Sequence, residues 1–304
     1  MRNPGASDLG QVATAAKLPV TVLPLDVDDD ASVAEVFAKV GESIDVLVNN
    51  AGIYSINAVE DESLEQFRRV METNYFGAVR CVKQVLPAMR RRGSGCIVNV
   101  TSIAGRLALA ASGAYAASKF ALEAFSESLA QEVAGYGIKV ALIEPGIIDT
   151  AMATTNLPQY DANTIYPHGR RVHAFFTNPE KPEASPHLVG QMIRYVIEGN
   201  DPRLRFPVGP DAYPFLGWRG ALSDEDWIGL GGMASDADYF ERVFIDTGVD
   251  LRSAWRSSSR ASTNWLEGKK QHRIATITRT GSETRRAFPS TALPRRFVGP
   301  TQSR

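Results

Sequence analysis

Short apolar runs alternate along the chain with longer stretches in which apolar residues recur every three or four positions. This alternation predicts strands and helices taking turns, as in a parallel sheet covered on both faces. Val20 to Leu25, Val46 to Val48, Cys96 to Thr101, Lys139 to Ile143 and Arg205 to Gly209 read as strands. Ser32 to Val40 reads as a short helix with a capping box at Ser32 and Glu35. Ser63 opens a long helix, capped toward Gln66, whose apolar face is Phe67, Val70, Met71, Ala78, Val82, Val85 and Met89. Tyr115 to Ala134 and Gln191 to Glu198 read as further helices. Most of residues 151–195 read as irregular, and beyond Gly232 the periodicity decays. The expected division is an α/β domain over residues 1–235 and a basic, low-complexity, disordered tail over 236–304.

Composition narrows the class. A chain of 304 residues, 44% hydrophobic and 22% charged, suffices for one large α/β domain or two small ones. No apolar run approaches the roughly 20 residues that span a bilayer, and Met1 to Gly5 leads into no apolar signal segment. Cys81 and Cys96 suit buried thiols in a reducing cytoplasm. His168, His173, His187 and His272 have no ligand spacing, so no catalytic metal is expected. The net charge of −1 is unevenly placed: residues 251–304 hold 12 Lys+Arg against 2 Asp+Glu, the first 250 residues 21 against 32. The aromatics of that tail (Trp255, Trp265, Phe288, Phe297) form no nucleic-acid motif. A nucleic-acid arm is therefore the disfavoured reading, and an extension outside the native reading frame is the other.

The chemistry concentrates on a few positions. Tyr115 and Lys119 are four residues apart, one helical turn on one face. An ammonium there favours the phenolate and would bring the tyrosine toward use as a general acid or base. Ser102 closes the strand Cys96 to Thr101, where its hydroxyl can bond the oxygen of a carbonyl or alcohol. Asn74 falls on the apolar face of the long helix, so it is either satisfied by a neighbouring backbone group or functional. Asn49, Ser102 and Pro145 each follow a strand, so three segments converge on the carboxyl edge of the sheet, where such folds bind ligands.

With Asp45-Val46-Leu47-Val48-Asn49-Asn50-Ala51-Gly52 ahead of these residues and Glu144-Pro145-Gly146-Ile147-Ile148-Asp149-Thr150 after them, the set resembles the short-chain dehydrogenase/reductase family from about Met1 to about Leu230. The resemblance implies a Rossmann-like, doubly wound parallel sheet and hydride exchange between a nicotinamide cofactor and an alcohol or carbonyl. It implies a catalytic tetrad of Asn74, Ser102, Tyr115 and Lys119, with Asn74 holding a water in a proton relay and Lys119 also bonding the ribose. Asp26 and Val27 would meet the adenine ring, Asn50, Ala51 and Gly52 the adenosine side, and Pro145, Gly146, Ile148 and Thr150 the nicotinamide. Bland readings stand beside these: a turn acid at Asp26, a tight turn at Asn50 and Gly52, a helix cap at Thr150. Arg2, placed like the basic residue after the family's second strand, favours NADP over NAD. The resemblance further implies a homodimer or homotetramer and a lipophilic small-molecule substrate, as in the branch acting on hydroxysteroids and retinol. The stretch Tyr213 to Trp218 would line that pocket or a subunit contact.

The family's opening Thr-Gly-x-x-x-Gly-x-Gly is absent. The expected sheet therefore lacks strand one, the glycine turn and most of strand two, from a mis-called start or a gene fragment. That leaves a gap in the sheet: either Val20 to Leu25 pairs with Val46 to Val48, or the fold is defective. A non-catalytic binding or regulatory protein on the same fold is the alternative function.

Overall fold

The computed structural model describes residue 5 and residues 8–155, 157–161, 163–178 and 184–251. Arg2 and the basic stretch after residue 251 lie outside the described residues. Helices α1 (Leu9–Ala15) and α2 (Asp30–Val40) precede strand β1 (Val46–Asn49). Helix α3 (Leu64–Met71) runs through a π-helical segment, Glu72–Phe76, into α4 (Gly77–Arg92). There follow β2 (Gly95–Val100), α5 (Gly113–Val133), β3 (Ile138–Pro145), α6 (His168–Thr177), α7 (His187–Glu198) and β4 (Arg205–Val208). Helices α8 (Ala212–Ala221), α9 (Asp224–Gly231) and α10 (Asp236–Thr247) complete the described chain.

The four strands form one parallel sheet in the order β1-β2-β3-β4. Its pleat sends alternate side chains to opposite layers. Ile97, Ile138 and Val140 pack with Val82, Val85 and Met89 of α4 and Leu129 and Val133 of α5. Cys96, Val98, Ala141, Ile143, Phe206 and Val208 pack with Val196 of α7. Burial on both faces explains why these strands read as nearly unbroken apolar runs. A separate cluster joins Phe175 of α6, Phe215 and Trp218 of α8, Leu230 of α9, and Tyr239, Phe240 and Val243 of α10. No helix among the described residues is long and apolar enough to cross a membrane.

Several expectations are corrected. Val20 to Leu25 is not a strand; within the described sheet β1 pairs only with β2. Apolar content gave it the look of a strand, but a strand needs a ladder partner, and Pro24 has no N–H to offer one. Ser32 does not cap α2. The Asp29 carboxylate accepts from the Ala31 N–H at 2.8 Å, while Ser32 Oγ accepts from the Asp26 N–H at 2.9 Å. The long helix is not uniform, because the π segment inserts an extra residue at Thr73 and Asn74, both buried. Residues 151–195 contain α6, and α10 lies beyond the expected boundary at 235. Helix α10 is capped by Ser235, whose Oγ accepts from the Asp238 N–H at 3.3 Å, and buries Phe240 and Val243. Its ordered packing contradicts disorder from residue 236 onward.

Phe240 is 1% exposed and packs edge-on against Phe175 and Tyr239. Phe240→Ala is expected to lower unfolding free energy by about 3–5 kcal/mol. Urea denaturation of both chains checks this; an unchanged midpoint would show that α10 is not part of the core.

Candidate active site

Strand β2 ends at Val100, and Ser102 opens a short 3-10 turn, Ile103–Gly105. Its hydroxyl donates to the Pro145 carbonyl at 3.2 Å and accepts from the Ala104 N–H at 3.1 Å, joining the ends of β2 and β3. Tyr115 and Lys119 stand in the first turns of α5. That helix presses onto the 3-10 turn because Gly105 has no side chain; a Cβ there would lie 2.8 Å from Glu123 Cγ and 3.1 Å from the Lys119 carbonyl. Lys119 Nζ donates to the Val100 carbonyl at 3.0 Å and lies 5.7 Å from the centre of the Tyr115 ring.

Asn74 is 1% exposed and fully engaged. Its Nδ2 donates to the Ile53 carbonyl and to Ser118 Oγ, both at 2.9 Å, and its Oδ1 accepts from the Ile53 N–H at 2.8 Å. The amide thus braces the loop after β1 against α5. Gly52 in that loop passes close enough that a Cβ would lie 3.4 Å from Asn74 Oδ1 and 3.7 Å from Lys119 Nζ.

These segments enclose a cavity of about 820 Å³. Asn50, Ala51, Gly52, Ser102, Tyr115, Lys119, Pro145, Gly146, Ile148 and Thr150 all line it. Asn74 stands behind that wall. Asp26 and Val27 are not among the lining residues; Val27 packs on Gly77 at the start of α4. The remaining wall is mostly apolar, with Tyr54, Leu107, Leu109, Val172, Phe175 and Phe176. Phe215 from the aromatic stretch lines it too, whereas Tyr213 points to solvent.

Burial governs the site's electrostatics. It pushes the Tyr115 phenol up to about 12, against a smaller lowering by the Ser102 hydroxyl. It brings the Lys119 ammonium down to about 8, with Glu123 acting the other way. The lowered tyrosine expected from the four-residue spacing is therefore not found. The ammonium is turned to the Val100 carbonyl, and desolvation is the leading influence on the phenol. Tyr115 is consequently protonated at neutral pH. Tyr54 meets its ring edge-to-face at 4.3 Å and shares a 3.0 Å hydrogen bond with Ser112.

The donor set fits the nicotinamide–ribose half of a dinucleotide. Lys119 uses one of its three N–H groups on Val100, leaving two for vicinal hydroxyls. The cradle at Gly52 gives a sugar close access to it.

Sequence reasoning missed the supporting groups. Asp211 Oδ2 accepts from the Ile147 N–H at 2.9 Å and fixes the turn after β3. Ser118 Oγ donates to the Tyr115 carbonyl at 2.7 Å. Behind Lys119 lies a charge cluster. Arg205 Nε bonds Glu123 Oε2 at 2.8 Å, Arg205 Nη2 bonds Glu127 Oε2 at 2.6 Å, and Arg106 Nη1 bonds Glu144 Oε1 at 3.2 Å. A glutamate at the end of an apolar strand, and another four residues after Lys119, were the available signals.

A family model described as short chain dehydrogenase matches residues 3–161. The chain is 32% identical to the uncharacterized oxidoreductase YusZ of Bacillus subtilis over 71% of this chain and 84% of that protein. It is 43% identical to human retinol dehydrogenase 8 over 49% of each chain. A crystal structure of a short chain dehydrogenase from Burkholderia cenocepacia in complex with NADP superposes with a TM-score of 0.54 at 26% identity, covering 68% of this chain and 75% of that one.

Glu144 is wholly buried, and burial, then Glu123, pushes its carboxyl up to about 7 against the opposing pull of Arg106 and Arg205. The folded state therefore holds a proton that the unfolded chain releases near pH 4.5. Stability from this group is fully present below that pH and falls as pH rises to about 7, by ~3 kcal/mol in all. Glu144→Gln is expected to flatten this part of the stability–pH curve. Parallel denaturation curves from pH 4.5 to 8 check it, and identical slopes in the two proteins would refute the assignment.

Proposed function

Because the chain belongs to the short-chain dehydrogenase family, we propose that it interconverts a lipophilic alcohol and its ketone or aldehyde, using NADP in preference to NAD. The observation that carries this reading is the convergence of Ser102, Tyr115 and Lys119 on one largely apolar cavity. Bound there, the nicotinamide would supply or remove the hydride.

In the reducing direction Tyr115, partly buried and protonated, gives its proton to the carbonyl oxygen as negative charge develops on it. Ser102 holds that oxygen with its hydroxyl, exchanging its bond to Pro145 for one to the substrate. Lys119 binds the ribose hydroxyls and favours the phenolate that remains after proton transfer. Asn74 acts as a brace, since its amide hydrogens and oxygen already have protein partners. The proton returns to Tyr115 from solvent between turnovers.

The substrate class follows from the wall of Leu107, Leu109, Val172, Phe175 and Phe176, which offers little to a sugar or a highly charged metabolite. Similarity to a retinol dehydrogenase supports the same class. A cytoplasmic setting suits Cys81 and Cys96, both buried and unpaired with each other.

Tyr115→Phe keeps the ring and removes the transferable proton. It is expected to lower turnover by at least about 10²-fold while leaving NADPH binding, read by nicotinamide fluorescence, within about twofold. Unchanged turnover in this variant would remove Tyr115 from the mechanism.

A further inference from the structure

A second cavity, of about 210 Å³, adjoins the first. The two share the side chains of Leu109 and Val172 as a common wall. Three aromatic rings, Trp218, Trp227 and Tyr239, line the smaller one, and Ile228 lies on it while 73% exposed to solvent. Such a surface takes an apolar group by contact with the ring faces.

One charged residue in this lining is buried. Arg171 is 2% exposed and stacks its guanidinium on the Tyr239 ring at 4.8 Å. Its Nε donates to Asp236 Oδ1 at 2.9 Å and its Nη2 to the Met233 carbonyl. Its Nη1 has no hydrogen-bond partner. Nor is its charge fully balanced. Arg170 also binds Asp236, at 2.7 Å through Nε, so two guanidinium groups share one carboxylate. His168 Nε2 donates to the Gly231 carbonyl at 3.0 Å. A buried guanidinium N–H without an acceptor is a strong, directional demand for an oxygen.

We propose that this pocket binds the distal end of an elongated apolar substrate and that Arg171 receives an anionic oxygen there, of carboxylate type. The matching ligand carries its reacting carbonyl or alcohol at one end, an apolar body past Leu109 and Val172, and an acidic group at the other. The word substrate rests on the oxidoreductase reading; the binding does not, and it is tested without turnover.

The test is calorimetric titration of the full chain with dodecanoate and with its methyl ester. Dodecanoate is expected to bind saturably and at least about tenfold more tightly than the ester. Arg171→Met should abolish that preference. Ile228→Trp, a surface substitution that crowds the pocket and spares the Arg171 bonds, should weaken both ligands; it decides the matter if Arg171→Met fails to fold by circular dichroism. Equal binding of acid and ester, or dodecanoate binding indifferent to the folded variants, would overturn the proposal and leave the pocket an apolar void. If the parent binds dodecanoate selectively yet reduces no carbonyl, the catalytic reading fails while the pocket stands.

Discussion

The site depends on one buried side-chain amide. Asn74 is enclosed by protein, so both its N–H groups and its oxygen must find partners inside. They find the two backbone groups of Ile53 and the hydroxyl of Ser118. Ser118 passes the restraint to the Tyr115 carbonyl. A single amide thereby references the loop after β1 and the helix carrying Tyr115 to the same point. The π segment at Glu72–Phe76 makes this reach available, because a regular helix would turn position 74 differently relative to α5. The end of β2 is tied separately, through Ser102 to Pro145 and through Lys119 to Val100.

Around this frame, burial sets the charge states. Enclosure favours the neutral phenol of Tyr115 and weakens the hold of Lys119 on its proton. The neutral phenol is the form from which the proposed reduction draws its proton; because burial makes it a weaker acid, that reduction relies on the nearby Lys119 charge to favour the phenolate. Lys119 keeps part of its charge through Glu123, one turn further along α5. Glu123 in turn belongs to a charge cluster with Arg205, Glu144 and Arg106, its glutamates buried and its arginines reaching toward solvent, that spans α5, β3, β4 and the turn after Ser102. Ions buried in this way do little for net stability, but they resist any slip between the segments they join.

Much of this was legible in the sequence where a local rule and the tertiary structure agree. Asn49, Ser102 and Pro145, each after an apolar run, marked one sheet edge, and the cavity gathers Ser102 and Pro145 together with the Tyr115–Lys119 pair, whereas Asn49 is turned to Asn99. Val20 to Leu25 misled because strand character is a property of a pair, and no described strand lies beside it. Ser32 misled because Asp29, three residues earlier, is the better acceptor for the first turn. Helices α8 and α10 were missed because acids and glycines interrupt their apolar stripes, which close against one another and against α6 and α9. Asp211 and Arg171 carried no local signal at all; their partners are distant in sequence.

The most direct test of the catalytic account follows the hydride itself. Purified protein is incubated with NADPH deuterated at both C4 positions of the nicotinamide and a panel of hydrophobic ketones and aldehydes, and the products are read by mass spectrometry and proton NMR. The account predicts an alcohol carrying one deuterium on its carbinol carbon, formed as NADPH is consumed. Alcohol without that label, or no alcohol from any member of the panel despite saturable NADPH binding, would contradict it.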